Sequence, residues 1–404
     1  MSTPLYKRRT AARVAAVTLA LAALACVTGC GNKSGSSTAA AAAGSSGSGG
    51  SGSSNVDLAL GKIGPPSARL MSLSSVCGSK PAIVGLTWAF DGNGWRKLAH
   101  GMLDDYAKTC PSIKKVLYAN ANLSASQSTA DINSLVAQGV NVLIVYPDFG
   151  AAVLPALRAA MQKGVKVIPF AVEAKALGGT RGVDYVDTVS ENVFEEGVTW
   201  GQWMIKALKG KGNVVFIGGT AGSPTAISEF AGVKAAFAKA PGMKILGNQI
   251  NYGQYDVAKT QQVMAGLLTH YGSKINGVID DYGGAAVGAM RAYQAAGRPL
   301  VPFATADQNN LGCLWQSLHA KQPNFQLGTV SSRNWVILSA LNKGMAAYEG
   351  KSDTEPSMFN LPIIEDSTGN MSSQKPRCVK SLPDDAILSA GIPVAQMSKI
   401  LGAG

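Results

Sequence analysis

Cysteine is the residue type in this sequence with the clearest capacity for covalent chemistry, and it occurs six times. Cys26 and Cys30 follow a basic segment and the uncharged apolar run of residues 14–25, an order that is typical of a secretory signal. The run has about twelve residues, whereas a membrane-spanning helix needs roughly 20. We therefore expect residues 1–29 to be a signal peptide that is removed on export.

Cys30 ends the sequence VTGC (27–30), which resembles the bacterial lipobox read by the lipoprotein signal peptidase. The resemblance implies that Cys30 becomes the lipidated first residue of the mature protein; an ordinary cysteine in a generic signal is the alternative. Residues 31–55 are almost entirely Gly, Ser and Ala, which bury too little apolar surface to offset the entropy lost on ordering. We expect residues 30–79 to be a lipid-anchored flexible tether and lead-in that holds a folded domain on the extracytoplasmic side of the cell membrane.

The other four cysteines are expected to form disulfides, because an even count in an exported chain favours oxidised pairs. Three pairings are open. We prefer Cys77 with Cys110 and Cys313 with Cys378, because the first pair closes a short unit around one strand and one helix. Four free structural thiols are the alternative.

Few other residues are spaced for catalysis or for cofactor binding. His100, His270 and His319 form no metal-binding pair, and each falls within a helical pattern. The glycine-rich sequence GGTAGS (218–223) fits neither the dinucleotide fingerprint nor the P-loop with its lysine. The sequence therefore predicts no enzyme activity, no cofactor and no resident metal.

The net charge and the length of the chain bear on its cellular surroundings and on the number of its lobes. Removal of residues 1–29 takes away four positive and no negative charges, which lowers the formal net charge from +12 to +8. No run of Lys and Arg and no nucleic-acid motif accompanies this charge, so we interpret it as compatibility with an anionic cell envelope. About 330 residues remain after the tether, enough for two lobes with separate cores.

Short apolar runs alternate with longer amphipathic runs from residue 81 onward. The sequence AIVGLTWAF (82–90) predicts a buried strand, and residues 95–109 have apolar side chains at helical spacing. The alternation continues, and a second set begins after Gly182 with a predicted strand, VDYVDTVS (183–190). Two such sets predict an α/β fold of two doubly wound parallel-sheet lobes. Because ligands bind outside the carboxyl ends of such strands, facing lobes would form a binding cleft.

Five motifs along the chain resemble landmarks of the type I periplasmic solute-binding proteins of ABC transporters, of the ribose and galactose type. They occur in the family's order and span roughly residues 80–362 together with their surroundings. The motifs are QSTADINSLVAQGVNVLIVYP (127–147), VSENV (189–193), FIGGTAGSPT (216–225), GQYDVAKTQQVM (253–264) and DDYGGAAVGAM (280–290).

The resemblance implies two lobes joined by a three-strand hinge, so that each lobe is built from separate stretches of chain. The expected lobes are residues 80–171 plus 334–360, and residues 172–333 plus 361–404 with a C-terminal extension. The expected crossings between lobes lie near residues 170–173, 332–333 and 360–362.

The family's binding positions carry over only in part. Trp95, Tyr255 and Asp307 keep the expected residue type, whereas positions that hold arginines in the family are Ile227 and Val257 here. We therefore expect a cleft that keeps aromatic side chains and loses arginines. The candidate ligand-binding residues are Trp88, Asp91, Trp95, Tyr146, Asp148, Phe149, Glu173, Tyr255, Asp281, Tyr282, Asp307 and Arg333.

Several of these candidates also have a purely structural interpretation. Trp88 follows a buried run and could belong to the core, and Tyr146 could pack under its neighbouring proline. Asp91 and Asp148 could cap the helices that follow them. Glu173 and Asp281 could simply face solvent. The functional interpretation of each therefore depends on where the fold places the side chain.

The resemblance implies a monomeric protein that closes on a small solute, most often a sugar or sugar-like compound, and delivers it to an ABC permease in the membrane. One alternative is a receptor whose closed form signals to a membrane sensor kinase. Another is an importer role for a nucleoside or an aromatic acid. Regulators of this fold carry a helix-turn-helix before the first lobe, where this sequence has a signal and tether, so a DNA-binding role is excluded.

Overall fold

The computed structural model describes residues 63–64 and 71–402. The predicted signal peptide, Cys30 and most of the predicted tether lie outside the described residues. Among the residues that are described, no helix is long and apolar enough to cross a membrane.

The first lobe is a parallel sheet with helices on both faces. Its elements are β1 (Ile63–Gly64), α1 (Leu73–Val76), β2 (Ala82–Trp88), α2 (Gly94–Ala107), β3 (Ile113–Asn120), α3 (Ala125–Ala137), β4 (Val142–Val145), a 3-10 turn (Gly150–Val153), α4 (Leu154–Gln162), β5 (Lys166–Pro169) and α5 (Ala174–Leu177). The four-stranded sheet has the order β3-β2-β4-β5, and all neighbouring strands are parallel.

The remaining elements form the second lobe, the connections and the helix of residues 336–349, which returns to the first lobe. Their elements are β6 (Ser190–Glu191), α6 (Val193–Ala207), β7 (Gly212–Gly218), α7 (Pro224–Ala238), β8 (Met243–Tyr252), α8 (Val257–Tyr271), a 3-10 turn (Gly272–Lys274), β9 (Gly277–Asp280), α9 (Gly283–Ala295), β10 (Phe303–Ala306), α10 (Asn309–Leu318), β11 (Leu327–Val330), α11 (Val336–Glu349), β12 (Met358–Phe359), β13 (Ile363–Asp366), a 3-10 turn (Ser372–Gln374) and α12 (Val394–Leu401). The six-stranded sheet has the order β13-β11-β10-β9-β7-β8, and β13 runs antiparallel to β11.

The apolar runs of the strands are explained by burial on both faces of each sheet. In β2, every residue except Ile83 is buried, as expected for a parallel strand covered by helices on both sides. Gly139 and Gly164 follow α3 and α4 with φ angles of +83° and +86°, so these helices end at residues that adopt positive φ without a side-chain clash. The predicted α/β architecture is confirmed.

The first crossing between the lobes lies later in the chain than the resemblance implied. The Val186 amide donates to the Val167 carbonyl (2.9 Å), and the Ala171 amide donates to the Val189 carbonyl (2.8 Å), so residues 186–189 extend the first sheet beyond β5. Val172, Leu177 and Tyr185 are likewise buried in the first lobe's core. The expected boundary between residues 171 and 172 is therefore corrected to residues 190–192. The apolar pattern predicted a strand here, but it carried no information on which sheet the strand would join.

The other crossings lie at residues 331–335 and 360–362. The crossing at residues 331–335 follows β11 of the second lobe. After this crossing, α11 packs into the first lobe's core through Val336 and Leu341. After β12 the chain returns to the second lobe, where Leu361 is buried. The short strands β1, β12 and β6 form a parallel three-stranded sheet beside these crossings.

The end of the chain contacts both lobes. We call residues 376–402 the C-terminal strap. Its first part lies against α10, and its last part packs on α2 of the first lobe through Ile387, Ala390 and Met397. The expected assignment of all residues after 361 to the second lobe is therefore corrected for the end of the strap, whose apolar side chains cover α2.

The structure contains the two disulfides preferred from the sequence. Cys77 is bonded to Cys110, across 33 positions of sequence. Cys313 of α10 is bonded to Cys378, across 65 positions, and this bond fixes the start of the C-terminal strap to the second lobe.

Candidate functional site

A small cavity lies between the two lobes at the carboxyl ends of their strands. Its volume is about 40 Å³, and a single water requires roughly 10–15 Å³ on the same scale, so the space holds only a few waters. Both lobes and the second crossing contribute to its wall. The residues lining this inner cavity are Asn93, Trp95, Arg96, Tyr146, Ala171, Tyr255, Asp281, Tyr282, Ala306, Ser332 and Arg333.

The inner cavity is small because the lobes touch across the cleft. The Thr225 hydroxyl at the start of α7 donates to the Ala171 carbonyl of the first lobe (3.1 Å). The rings of Phe90 and Tyr255 stack across the cleft, with centroids 6.1 Å apart. The described arrangement is thus a closed one.

A wider cavity of about 420 Å³ forms the mouth of the cleft. Residues 90–94 supply its first-lobe side, and residues 254–257 with Tyr282 supply its second-lobe side. Asp385 of the C-terminal strap also lines it. Both lobes and the strap therefore surround the approach to the inner cavity.

Aromatic rings form much of the inner wall. Trp95 stacks on Phe170 with an interplanar angle of 11° and centroids 6.1 Å apart, and its indole N–H donates to the Ser332 carbonyl (2.5 Å). On the opposite side Tyr255 and Tyr282 meet edge to face, with centroids 6.1 Å apart. Flat rings of this kind suit the C–H surfaces of a sugar or polyol.

Arg96, in the first turn of α2, is held by one carboxylate and three rings. Its guanidinium makes a two-pronged ion pair with Asp148, at 2.5 and 3.3 Å. The same group lies over the rings of Phe90 (4.0 Å), Tyr146 (4.8 Å) and Trp88 (5.2 Å). Asp148 therefore neutralises Arg96 and fixes its position in the cavity wall.

Arg333, in the second crossing, is surrounded by three buried glutamates. Its nitrogens lie 2.6 Å from Glu191, 2.7 Å from Glu196 and 3.3 Å from Glu229. Burial raises the pKa of Glu196 to about 8 and holds the pKa of Glu229 well above its usual range. Burial also raises the pKa of the neighbouring Asp281 to about 7. Glu196 therefore retains its proton near neutral pH.

Three lining residues other than glycine have left-handed backbone. Their φ angles are +52° for Ala171, +54° for Tyr255 and +53° for Arg333, a conformation that costs such residues roughly 1–2 kcal/mol each. Strain of this kind persists only where the surroundings hold it in place, and it concentrates at functional sites. Here the glutamates around Arg333 provide such contacts.

Comparison with known families decides the identity of the fold. The family described as periplasmic binding protein domain matches residues 84–314, more than half of the chain. This chain belongs to the periplasmic binding protein family. The type I fold implied by the five sequence motifs is confirmed.

Relatives of this periplasmic binding protein are solute-binding proteins. It is 27% identical to the xylitol-binding protein of Mycolicibacterium smegmatis over 265 residues, which cover 65% of this chain and 71% of the relative. It is also 27% identical to a galactofuranose-binding protein of Escherichia coli over 238 residues, 57% of this chain and 71% of the relative. These relatives bind substrates and are not enzymes.

Solved structures show the same fold. A solute-binding protein of an ABC transporter from Mycobacterium smegmatis, with bound glycerol, has a TM-score of 0.61 at 19% identity and covers 73% of this chain and 99% of its own. The binding component of an arabinose transporter from Shewanella sp. ANA-3 has a TM-score of 0.60 at 21% identity, with 70% and 91% covered.

The fold of this chain brings half of the predicted site residues together at the inner cavity. Asp91 lies instead at the cleft mouth, where its carboxylate accepts hydrogen bonds from Trp88, Tyr118 and Asn120. The predicted residues that line the inner cavity are Trp95, Tyr146, Tyr255, Asp281, Tyr282 and Arg333.

Five other predicted residues line neither the inner cavity nor the mouth. Trp88 is fully buried in the first lobe's core. Asp148 holds Arg96, and Glu173 accepts a hydrogen bond from the Phe194 amide at the start of α6 (3.1 Å). Phe149 is half-buried ahead of a 3-10 turn.

Asp307 is the fifth of these residues, and its position differs most from expectation. Its carboxylate accepts hydrogen bonds from the Ser332 amide (2.7 Å), the Ser389 amide (2.9 Å) and the Ser389 hydroxyl (2.6 Å). The side chain is 1% exposed and faces the second crossing and the strap. The sequence could not show this, because the strap has no counterpart among the motifs that suggested a ligand contact.

Sequence reasoning missed Arg96 and the glutamates around Arg333. The expected loss of arginines is corrected, because Arg96 lies in the wall from a position next to Trp95. A signal for Arg96 was available: it follows a strand end and a helix N-cap, where ligand-facing residues cluster in such folds. No comparable signal existed for Glu191, Glu196 and Glu229, which meet only through the fold.

Proposed function

We propose that this periplasmic binding protein is an extracytoplasmic lipoprotein that binds a neutral, hydroxyl-rich solute, a sugar or polyol, between its lobes and delivers it to an ABC permease. The observation that carries the proposal is the interlobe cavity, which combines aromatic rings with two arginines already paired to carboxylates. Solute contacts made by both lobes would favour the closed form over an open one.

The charges around the cavity favour a neutral solute over an anionic one. Among the described residues that line it, Arg96 and Arg333 are the two cations, and each is already paired, Arg96 with Asp148 and Arg333 with the buried glutamates around it. A carboxylate or phosphate would find no unpaired cation there and would lie beside Asp281. Hydroxyl groups, by contrast, can donate to carboxylate oxygens and offset the cost of their own burial.

The relatives support the same chemical class. The names of two of them state that they bind xylitol and galactofuranose, which are uncharged and rich in hydroxyl groups. The importer role and the permease partner are inferred from solute-binding proteins of ABC transporters among the solved structures of this fold.

A thermal-melt screen of the purified protein tests the solute class. The panel contains pentoses, hexoses, polyols and nucleosides, with sugar acids and small aromatic acids as anionic controls. A solute at a hundred times its Kd adds about 2.7 kcal/mol to the free energy of unfolding, which raises the Tm by a few degrees for a protein of this size. We expect shifts only with neutral sugars or polyols. Shifts confined to the acids would contradict the proposal.

The importer role needs a second measurement once a solute is known. Uptake of the labelled solute is compared between cells that contain the protein and cells that lack it. Lost uptake, restored by the gene, supports delivery to a permease. Normal uptake with an altered transcriptional response would favour a receptor for a sensor kinase instead.

A further inference from the structure

The C-terminal strap is fixed to the second lobe at its start. Besides the Cys313–Cys378 bond, the Asn309 side chain at the start of α10 holds it through both of its polar atoms. The Asn309 amide group donates to the carbonyls of Val379 (3.0 Å) and Pro383 (3.2 Å), and its oxygen accepts from the Val379 amide (2.8 Å). This end of the strap therefore moves with the second lobe.

The middle of the strap lies against the hinge. Ser389 makes the two hydrogen bonds to Asp307 described above, and its hydroxyl also lies 2.9 Å from the hydroxyl of Ser331. Asp307 follows β10 of the second lobe, whereas Ser331 and Ser332 belong to the second crossing. One serine of the strap thus joins the second lobe to a hinge segment.

The end of the strap is packed on the first lobe. Leu98 and Met102 of α2 form a buried apolar cluster with strap residues, among them Ile387 and Met397. At Gly101 an added Cβ would lie 2.5 Å from the Ile400 side chain, so α12 sits directly on the helix surface. The Gln396 side chain also donates to Asp105 of α2 (3.2 Å).

The strap also touches the part of α2 that carries the solute site. The Asp385 backbone lies so close to Gly94 that a side chain at Gly94 would overlap it. Gly94 is followed directly by Trp95 and Arg96, which line the inner cavity. The position of the strap is therefore coupled to the wall of the cavity.

We propose that the C-terminal strap is a latch that holds the two lobes in the closed arrangement. The three crossings allow the lobes to rotate about the hinge, as in other hinged domain pairs. The strap is a fourth connection, with attachments on both lobes. In the closed arrangement of the lobes it contacts Asp307 and α2 at the same time. Opening separates these attachments, so part of the strap must be released. Weakening either attachment then shifts the population towards the open form, with or without solute.

The first test uses a glycine pair as variant and matched control. Gly101→Leu places a side chain where Ile400 lies, whereas Gly266→Leu changes an exposed glycine of α8 that has no neighbour within 4 Å of an added Cβ. Spin labels at Ser126→Cys and Ile227→Cys, exposed positions on opposite lobes, report the interlobe distance in the full-length lipoprotein without solute. Amide hydrogen exchange of residues 394–401 reports release of α12.

We expect Gly101→Leu to speed exchange in α12 at least tenfold and to add a population at longer interlobe distance, while Gly266→Leu leaves both unchanged. Faster exchange with an unchanged distance distribution would overturn the latch, because the strap would then detach without any opening.

Ser389→Ala provides an independent variant that adds no bulk and leaves α2 unchanged. It removes the hydroxyl that bonds to Asp307 and Ser331, and Ser317→Ala removes an exposed hydroxyl of α10 as the control. We expect the longer distance to appear in Ser389→Ala and not in the control. Unchanged exchange and distance in both Gly101→Leu and Ser389→Ala would also overturn the proposal. Because no solute is present, these results do not depend on the proposed solute class.

Discussion

At the scale of single residues, the buried carboxyl groups around Arg333 should make the stability of the protein depend on pH. Burial raises the pKa of Glu196 to about 8 and of Asp281 to about 7, above their ordinary values of 4.5 and 3.8. A carboxyl group whose pKa is raised by folding binds its proton more tightly in the folded state. Its contribution to stability is complete below the unfolded-state pKa and is lost as the pH rises through the folded-state pKa.

We therefore expect the free energy of unfolding to fall between about pH 4 and about pH 8, the range between the unfolded-state and folded-state pKa values of these groups. Urea denaturation at both pH values measures it. In Glu196→Gln the fall should be smaller, since glutamine does not titrate. Glu195→Gln, at the exposed neighbouring position, should retain the full fall. Equal pH dependence in the two variants would contradict the assignment.

Among the residues that line the inner cavity, Trp95 is the one whose substitution should weaken solute binding most. Trp95→Ala removes a stacking surface and the hydrogen bond to the Ser332 carbonyl, so we expect at least a tenfold weaker affinity, or about 1.4 kcal/mol. Isothermal titration calorimetry with the solute found in the thermal screen measures this. Phe149→Ala is the control, because Phe149 lines neither cavity, and its affinity should equal that of the wild type.

The sequence correctly predicted cavity-lining residues that directly follow a strand. It did not predict the role of residues whose hydrogen-bond partners are distant in the sequence. Tyr282 follows β9 and Tyr146 follows β4, and both line the inner cavity as their positions at strand ends suggested. Asp307 also follows a strand, but Ser332 and Ser389 bind its carboxylate. Which partner satisfies a carboxylate is set by the fold, and local sequence does not contain that information.

At the scale of secondary-structure elements, α6 and α7 position the glutamates by packing backbone against backbone. A side chain at Gly197 would overlap the backbone of Glu229, and one at Gly232 would overlap the Phe194 carbonyl. This close approach brings Glu196 and Glu229 to the same guanidinium. The elements themselves were predictable from apolar periodicity, but the addition of residues 186–189 to the first sheet was not, because periodicity does not specify the neighbouring strand.

Gly232→Ala should therefore force α6 and α7 apart. We expect a loss of roughly 1–3 kcal/mol in the free energy of unfolding, the usual cost of overpacking a core. Urea denaturation measures the loss. Gly266→Ala is the matched control, since its added methyl group meets nothing within 4 Å and should leave stability equal or slightly higher. A stable Gly232→Ala variant would show that the helices can separate at little cost.

At the scale of the whole molecule, the proposal of a lipid anchor makes a prediction that involves the two N-terminal cysteines. Cys30→Ala removes the thiol that would carry the lipid, so the protein should move from the membrane fraction to the soluble exported fraction. Cys26→Ala changes a cysteine within the predicted signal and should leave the protein with the membrane. Immunoblots of the separated fractions measure both. Membrane retention of Cys30→Ala would exclude lipidation at this position.

The way the first lobe is assembled has a consequence for its folding kinetics. Its sheet is complete within residues 82–189, yet α2 is covered by α11 and the strap, which come from residues 336–401. Leu98 and Met102 therefore remain uncovered while some 280 later residues are synthesised. Contacts between such distant parts of a chain form slowly. The first lobe, although first in the sequence, should be the last part of the protein to reach its native protection from proteases.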